Sequence, residues 1–420
     1  MFDLNKRKVL IYDYGTFTFL AERLAEDFGE VIYFTPWKSA LPRAEKAVIG
    51  EGLEGITNCR EFYEALKELD PKRDIVAFFH VGEGDLQENL RKQGYTVFGM
   101  GGAEVLEMNR YQFKQELKKM GLPIIPYEHI KGIDDLDEYL RGVENKHVKI
   151  SSFRWLTETW KHINYAHSKA RLRKLAYNAG AFQSKIEFVV EDHIEGEEGG
   201  TDNFISDGEY FDKCLFGFEL KDAGYVCKVS ELSDVPKPFL DVLLKAQPFF
   251  KEKKSRGMFS TEVRITKDMT PYWNDATIRG GLPPSEIICE QWKNFSEAVW
   301  ATANGETIKL EPVAKYAAQV ILCSSWAKTE ATVIEFPKKI AKSIKLYNAC
   351  KMDGYFKYIP QDNSDVIASA IGLSDDLEEA EVIALKAAGQ VKADSLDYDG
   401  DCFDMLDEKL EKAKKLGIKF

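Results

Sequence analysis

The chain has 420 residues, 44% of them hydrophobic and 30% charged, a globular balance that excludes a disordered or low-complexity protein. Its 57 basic against 69 acidic side chains leave a net charge of −12, which excludes a general nucleic-acid or membrane surface; a bound polyanion needs a local basic pocket. At this length roughly two to four domains are expected, no apolar run approaches the ~18 residues of a membrane span, and seven scattered cysteines without a Cys-x-x-Cys pair read as reduced thiols, so a soluble, cytoplasmic protein is expected.

Residues 8–13 (KVLIYD) have the short, continuously apolar character of a buried parallel strand, residues 17–28 carry apolar side chains at helical spacing, and residues 30–34 return as a strand. With further apolar strands at 74–79 and 96–99, this βαβ opening predicts a small doubly wound unit. Its first turn, Asp13-Tyr14-Gly15-Thr16, lacks the Gly-x-Gly-x-x-Gly that presses backbone against a pyrophosphate, so no dinucleotide site is expected there. Residues 109–120 fit an amphipathic helix, with Asn109 able to cap it and Gly121 and Pro123 ending it.

Residues 147–150 form a short strand that delivers Lys149. The following loop, 151–157, has no glycine to bare its amides, and Ser151, Ser152 and Arg154 could supply hydroxyl and guanidinium donors instead. Residues 185–190 are a strand by β-branched and aromatic content, and they run into Glu191-Asp192-His193-Ile194-Glu195-Gly196-Glu197-Glu198. A strand ending in such a turn suits a hinge that offers backbone groups to a base; alone, the run also fits a solvated acidic turn. Further on, strand alternation puts Ser260, Glu262 and Arg264 on one face, and residues 272–277 return as the second half of a hairpin that sets Glu262 beside Asp275. Two adjacent carboxylates repel unless compensated, and a hard cation bridging phosphates compensates them; an exposed ladder of cross-strand ion pairs is the plainer alternative.

Near the C-terminus, residues 317–322 and a helix beginning at 377 continue the alternation of elements, and residues 404–416 read as a terminal amphipathic helix. Asp397, Asp399, Asp401 and Glu408 have the spacing of calcium-loop acids, but Cys402 stands where the loop needs glycine, so calcium is not expected. The six histidines show no ligand-type pairing, and His162 and His167 are expected on a polar surface.

In this order the motifs resemble the ATP-grasp superfamily, whose members use ATP to activate a carboxylate. Tyr95-Thr96-Val97-Phe98-Gly99 and Leu106-Glu107-Met108-Asn109-Arg110 are similar within it to the phosphoribosylamine–glycine ligase (GAR synthetase) family of purine synthesis, and to ATP-grasp proteins of bacteriophages. The resemblance implies an α/β chain of the α+β ATP-grasp kind. It would have a doubly wound N-terminal domain over residues 1–105, a two-lobed module over 106–310 with a lid at about 125–195, a C-terminal domain over 311–395 and a terminal helix over 396–420.

By the same resemblance Arg110 and Lys149 reach the ATP phosphates, with Lys221 as a further cation. Glu191, Asp192 and Ile194 form the adenine hinge, Glu198 takes the ribose hydroxyls, Glu262, Asp275 and Thr277 hold Mg²⁺ (or Mn²⁺), and Arg279 stabilises the transferring phosphoryl group. The implied reaction is ATP-dependent joining of a small carboxylate to a small amine through an acyl phosphate, with a non-catalytic nucleotide-binding regulator or a small-molecule kinase as alternatives. Asp275-x-Thr277-x-Arg279 departs from the usual Glu-x-Asn-x-Arg, keeping an oxygen at each place. The acids of Val81-Gly82-Glu83-Gly84-Asp85 stand where the purine ligase has its sugar-phosphate loop, which disfavours phosphoribosylamine and favours a more cationic amine facing Glu83 and Asp85. Oligomeric state is left open.

Overall fold

The computed structural model describes residues 2–36, 47–151, 159–361 and 364–420. Strands Lys8–Tyr12, Glu30–Phe34, Ile56–Cys59, Ile75–Phe78 and Thr96–Phe98 form an all-parallel sheet in the spatial order 56–59, 30–34, 8–12, 75–78, 96–98. Alternation sends Val9 and Ile11 into one buried layer, with helix Thr18–Ala25, and Leu10 into the other, with helices Phe62–Lys67 and Gly84–Lys92. Both faces are covered, so the central strand needs no polar alternation. Ile56–Cys59, not anticipated from sequence, is an edge strand with little apolar content. The order reverses between strands 8–12 and 75–78, and Asp13 and His80 emerge from their carboxyl ends at this switch point, the crevice where open α/β sheets hold ligands.

A four-stranded antiparallel sheet follows, ordered Tyr127–Lys131, Glu187–Asp192, Lys146–Ile150, Thr159–His162. It has its own core, in which Val148, Trp160, Phe188 and Val190 pack under helices Ile133–Arg141 and Tyr165–Ala179 through Leu136, Leu140 and Leu172. His162 is buried here and not on the surface as expected: its Nδ1 pairs with Ser168 Oγ at 2.7 Å and its Nε2 with the Val143 carbonyl at 2.9 Å, which satisfies both ring nitrogens.

The largest sheet runs from hairpin strands Pro271–Thr277 and Arg256–Ile265 through Glu197–Ser206, Lys213–Leu220 and Gly224–Glu231 to Tyr316–Ser324, Val366–Ser374 and Ile344–Leu346, without a break at residue 310. Helix Arg110–Lys119, capped by Asn109 Oδ1 on the Gln112 amide at 2.9 Å, joins this sheet to the smaller one, with Phe113 edge-on to buried Trp273. Among the described residues no helix is long and apolar enough to cross a membrane.

Glu286, wholly buried on helix Ser285–Gln291, accepts a hydrogen bond from the Tyr347 hydroxyl, and burial pushes its carboxyl up to about 7 from 4.5. As pH rises between those values the unfolded chain releases the proton while the folded chain keeps it, so this group lowers stability with rising pH, by up to about 3 kcal/mol. Glu22, Glu104, Asp202 and Glu262 are pushed up by burial in the same range, so denaturant titrations at pH 5 and pH 8 are expected to show a loss to which all contribute, and Glu286→Gln should reduce it; an unchanged difference in the variant would remove Glu286 as a cause.

Candidate active site

The hairpin dictates the centre of the site. In its register Glu262 stands directly opposite Asp275, and the pairing then slips so that Val263 faces Trp273, leaving Asn274 as the extra residue of a β-bulge. Strict alternation would show only one of two successive residues to a given side. The bulge lets both Asn274 and Asp275 line a single cavity of about 700 Å³, together with Glu262, Arg110 and Lys149. Asn274 Nδ2 donates to Glu262 at 3.0 Å, and its carbonyl accepts from Lys149 Nζ at 3.1 Å. Burial, with Glu198 and Asp275 adding to it, pushes the Glu262 carboxyl up to about 8. Across the sheet from Glu262 lies Gly200, which places no side chain beside it.

Helix Arg110–Lys119 supplies two cations one turn apart. Arg110 Nη1 donates to Asp275 at 3.1 Å, while Lys114 Nζ pairs with Glu191. Glu191 also receives Lys149 Nζ at 3.1 Å, so one fully buried carboxylate is shared by two buried lysines. Burial works against the Glu191 charge, yet Lys149 and Lys114 outweigh it and hold the carboxyl below its usual range. Lys114 closes the Asn109–Lys114 run that carries the resemblance but is given no role by it; its spacing from Arg110 puts both on one helix face. Ser151, expected to donate to a ligand, is engaged locally: its Oγ accepts from the Tyr111 amide at 2.9 Å and its carbonyl from the Arg110 amide at 3.1 Å, tying the smaller sheet to the helix start. Ser152 and Arg154 lie outside the described residues.

Asp192, Ile194, Glu198 and Lys221 all line the same cavity. Arg264, opposite Glu198 in the sheet, donates to it at 2.6 Å and to the Ile194 carbonyl at 3.1 Å, which pins the hinge turn to the strand bearing Glu262. Asp192 pairs with Lys146, and His147, pushed down to about 4 by burial and by Lys149, is neutral and hydrogen-bonded to His193 at 3.0 Å. A wall with no counterpart in the sequence reading comes from residues 399–412: Cys402, Met405, Lys409 and Lys412 line the cavity, and Lys409 Nζ donates to the Glu219 carbonyl at 2.6 Å. Nothing in the pattern of a terminal amphipathic helix signals which cleft it borders.

Thr277 and Arg279 stand apart from that cavity. Thr277 pairs with Ser260 and borders a small recess of about 70 Å³ next to Glu262. Arg279 is held by buried Glu107, which accepts its Nε at 3.1 Å and the Ile278 amide at 2.6 Å, and it lines a second cavity of about 680 Å³. Thr16 and His80 at the switch point, Pro283, and the C-terminal residues Gln319, Tyr347, Asn348 and Asp365 also line this space, and Glu219 lines both cavities. Glu83 and Asp85 do not belong to either lining: Glu83 accepts from Tyr12 Oη at 3.2 Å and from Tyr14 Oη, and Asp85 is exposed on the first turn of its helix. Among the described residues no three His, Cys, Asp or Glu side chains converge as a ready metal cage.

No family model matches the sequence, and neither does any curated protein. Solved structures do match, and with the sheets described above they define the fold as ATP-grasp. The chain is similar to the phosphoribosylamine–glycine ligase of Thermotoga maritima, with 20% identity and a TM-score of 0.71 over 94% of this chain and 99% of that one. It is also similar to the N5-carboxyaminoimidazole ribonucleotide synthetase of the same organism, with 16% identity and a TM-score of 0.60 over 93% and 99%. A third likeness is to the biotin carboxylase domain of the Hydrogenobacter thermophilus 2-oxoglutarate carboxylase, solved with MgADP and bicarbonate, with 12% identity and a TM-score of 0.66 over 98% and 95%.

Proposed function

We propose that the chain is an ATP-dependent ligase that activates a small carboxylate and joins it to an amine. The observation that carries the reading is the pairing of Glu262 with Asp275 in one cavity with Arg110 and Lys149, joined through Glu219 to a second cavity that holds Arg279. Two facing carboxylates and the Asn274 side-chain oxygen are hard donors; burial first, and then the neighbouring Glu198 and Asp275 charges, push the Glu262 carboxyl up, a cost that a divalent cation would relieve, so the set fits Mg²⁺. When bound with the nucleotide, the ion draws charge from the phosphates.

The protein's own groups do the rest. Arg110 and Lys149 bring positive charge to the phosphates, and Lys221 adds a third cation at the rim. Asp192 and Ile194 belong to the turn that offers backbone to the base, Glu198 takes ribose hydroxyls while Arg264 holds it, and Thr277 stands ready with a neutral hydroxyl next to Glu262. Glu191 acts one layer back, fixing Lys149. Arg279, oriented by Glu107, offers a guanidinium to the γ-phosphoryl group as the substrate carboxylate attacks it, giving an acyl phosphate that the amine opens with loss of phosphate. No side-chain nucleophile is required, and catalysis rests on positioning and charge. The neighbours named as ligase, synthetase and carboxylase support this reading.

Calorimetric titration with ATP, with and without Mg²⁺, tests it first, followed by ADP release over pools of small acids and amines. Mg²⁺-dependent binding and ADP release that needs both an acid and an amine are expected; no nucleotide binding by the wild-type chain would sink the reading. Lys409 adds a smaller expectation. It lines the nucleotide cavity within reach of the charges of Glu197, Glu198, Glu219 and Glu262, so Lys409→Ala removes one cation from that wall and should weaken Mg²⁺-ATP binding by roughly fivefold, or about 1 kcal/mol. Equal affinities would leave the terminal helix as a bystander to the nucleotide.

A further inference from the structure

The second cavity is rich in acceptors and poor in cations. Among its described lining residues Glu219, Asp222 and Asp365 are acidic and Arg279 is the lone Lys or Arg; Asp365 shares its charge with Lys328 at 2.9 Å. Arg279 is partly committed, its Nε to Glu107 and its Nη1 to the Gly280 carbonyl at 2.9 Å. Three amides on this lining carry an atom without a partner among the described residues: Gln361 offers one donor, Nε2, while Gln319 and Asn348 offer acceptors. Gln319, 0% exposed, donates its Nε2 to Ser369 Oγ at 2.9 Å, and its Oε1 has no partner among the described residues. Asn348, 6% exposed, gives its Nδ2 to Tyr358 at 3.4 Å, and its Oδ1 is likewise unpartnered.

A buried carbonyl oxygen is stable only when a donor meets it. Phosphate brings acceptors and negative charge, which acids and orphan carbonyls repel. An ammonium or guanidinium brings donors and positive charge. We propose that this cavity takes the amine substrate as an unphosphorylated, donor-rich compound carrying a second cationic nitrogen besides the one that attacks. The second cation lies against Asp222 and Glu219, and its N–H groups, or neighbouring hydroxyls, satisfy Gln319 Oε1 and Asn348 Oδ1. Arg279 is thereby left to the carboxylate side of the reaction. This inference rests on the ligase reading and names the substrate class for it.

Calorimetry on the full chain with 1,4-diaminobutane, 1,4-butanediol and inorganic phosphate as probes, with Mg²⁺-ATP titrated into the same preparation, separates the possibilities. The diamine is expected to bind at least roughly tenfold more tightly than the diol, with no binding of phosphate outside the nucleotide cavity. Asp222→Asn and Gln319→Leu should each weaken the diamine by roughly fivefold or more while Mg²⁺-ATP affinity is kept. Asp222 sits on a turn at φ +60°, a conformation asparagine adopts readily, so that variant folds even if Gln319→Leu disturbs the core. Phosphate binding that depends on Arg279, or no diamine binding by a protein that binds Mg²⁺-ATP, overturns the inference and leaves the ligase reading standing. Failure to bind Mg²⁺-ATP overturns the ligase reading instead.

Discussion

Replacing Asp275 by alanine is expected to weaken Mg²⁺-dependent ATP binding by on the order of a hundredfold or more, about 2.7 kcal/mol, without lowering the stability of the empty protein. The asymmetry follows from the charges. Asp275 faces Glu262 directly and raises the cost of ionising it, so its removal relieves repulsion in the ligand-free chain. Arg110 loses its 3.1 Å partner, which offsets part of that gain. Asp275→Asn keeps the shape and an oxygen but loses the charge, and it should retain most of the packing with nearly the same loss of affinity. Calorimetry with and without the metal, beside thermal midpoints, checks both halves. Wild-type affinity in Asp275→Ala would mean that the hairpin carboxylates do not hold the ion.

Glu191→Gln should have the largest effect on stability, about 3–5 kcal/mol in denaturant titration. Glu191 is 1% exposed and is shared by Lys114, also 1% exposed, and Lys149, 6% exposed. A neutral amide there leaves two ammonium groups buried without their counter-charge. Lys114→Met is expected to cost less, because the remaining Glu191–Lys149 pair is still balanced and methionine fills the volume. The order of the two losses tests the arrangement: if Glu191→Gln costs under about 1 kcal/mol, Glu191 is not the counter-charge that holds the two lysines.

Much of this site is visible in the chain because its local rules are strong. The hairpin of Glu262 and Asp275 follows from period-two alternation around a turn, the helix after Asn109 from its cap and its Gly121 stop, and the parallel sheet from apolar runs such as KVLIY. What stays hidden depends on distant contacts. Asn274 enters the cavity only through a slip in register, which pattern alone does not mark. Glu83 looks like a free acid in sequence, yet two tyrosine hydroxyls from the neighbouring strand end occupy it. His162 reads as a surface residue until Ser168, one helical turn into the next element, comes back to meet it. The role of residues 399–412 as a cavity wall depends wholly on where the tail of the chain packs.

The register slip at Asn274 also bears on how hairpin length is compared between relatives. The pairing is in one phase on the turn side, where Val263 meets Trp273, and in another beyond it, where Glu262 meets Asp275. Deleting Asn274 alone would bring the two phases together, moving Asp275 up behind Trp273 and still opposite Glu262. Such a deletion takes away an amide donor and the carbonyl that receives Lys149, and spares the carboxylate pair. A homologue one residue shorter here therefore still has its two acids face to face, and an alignment gap at this position is no sign that the site has been lost.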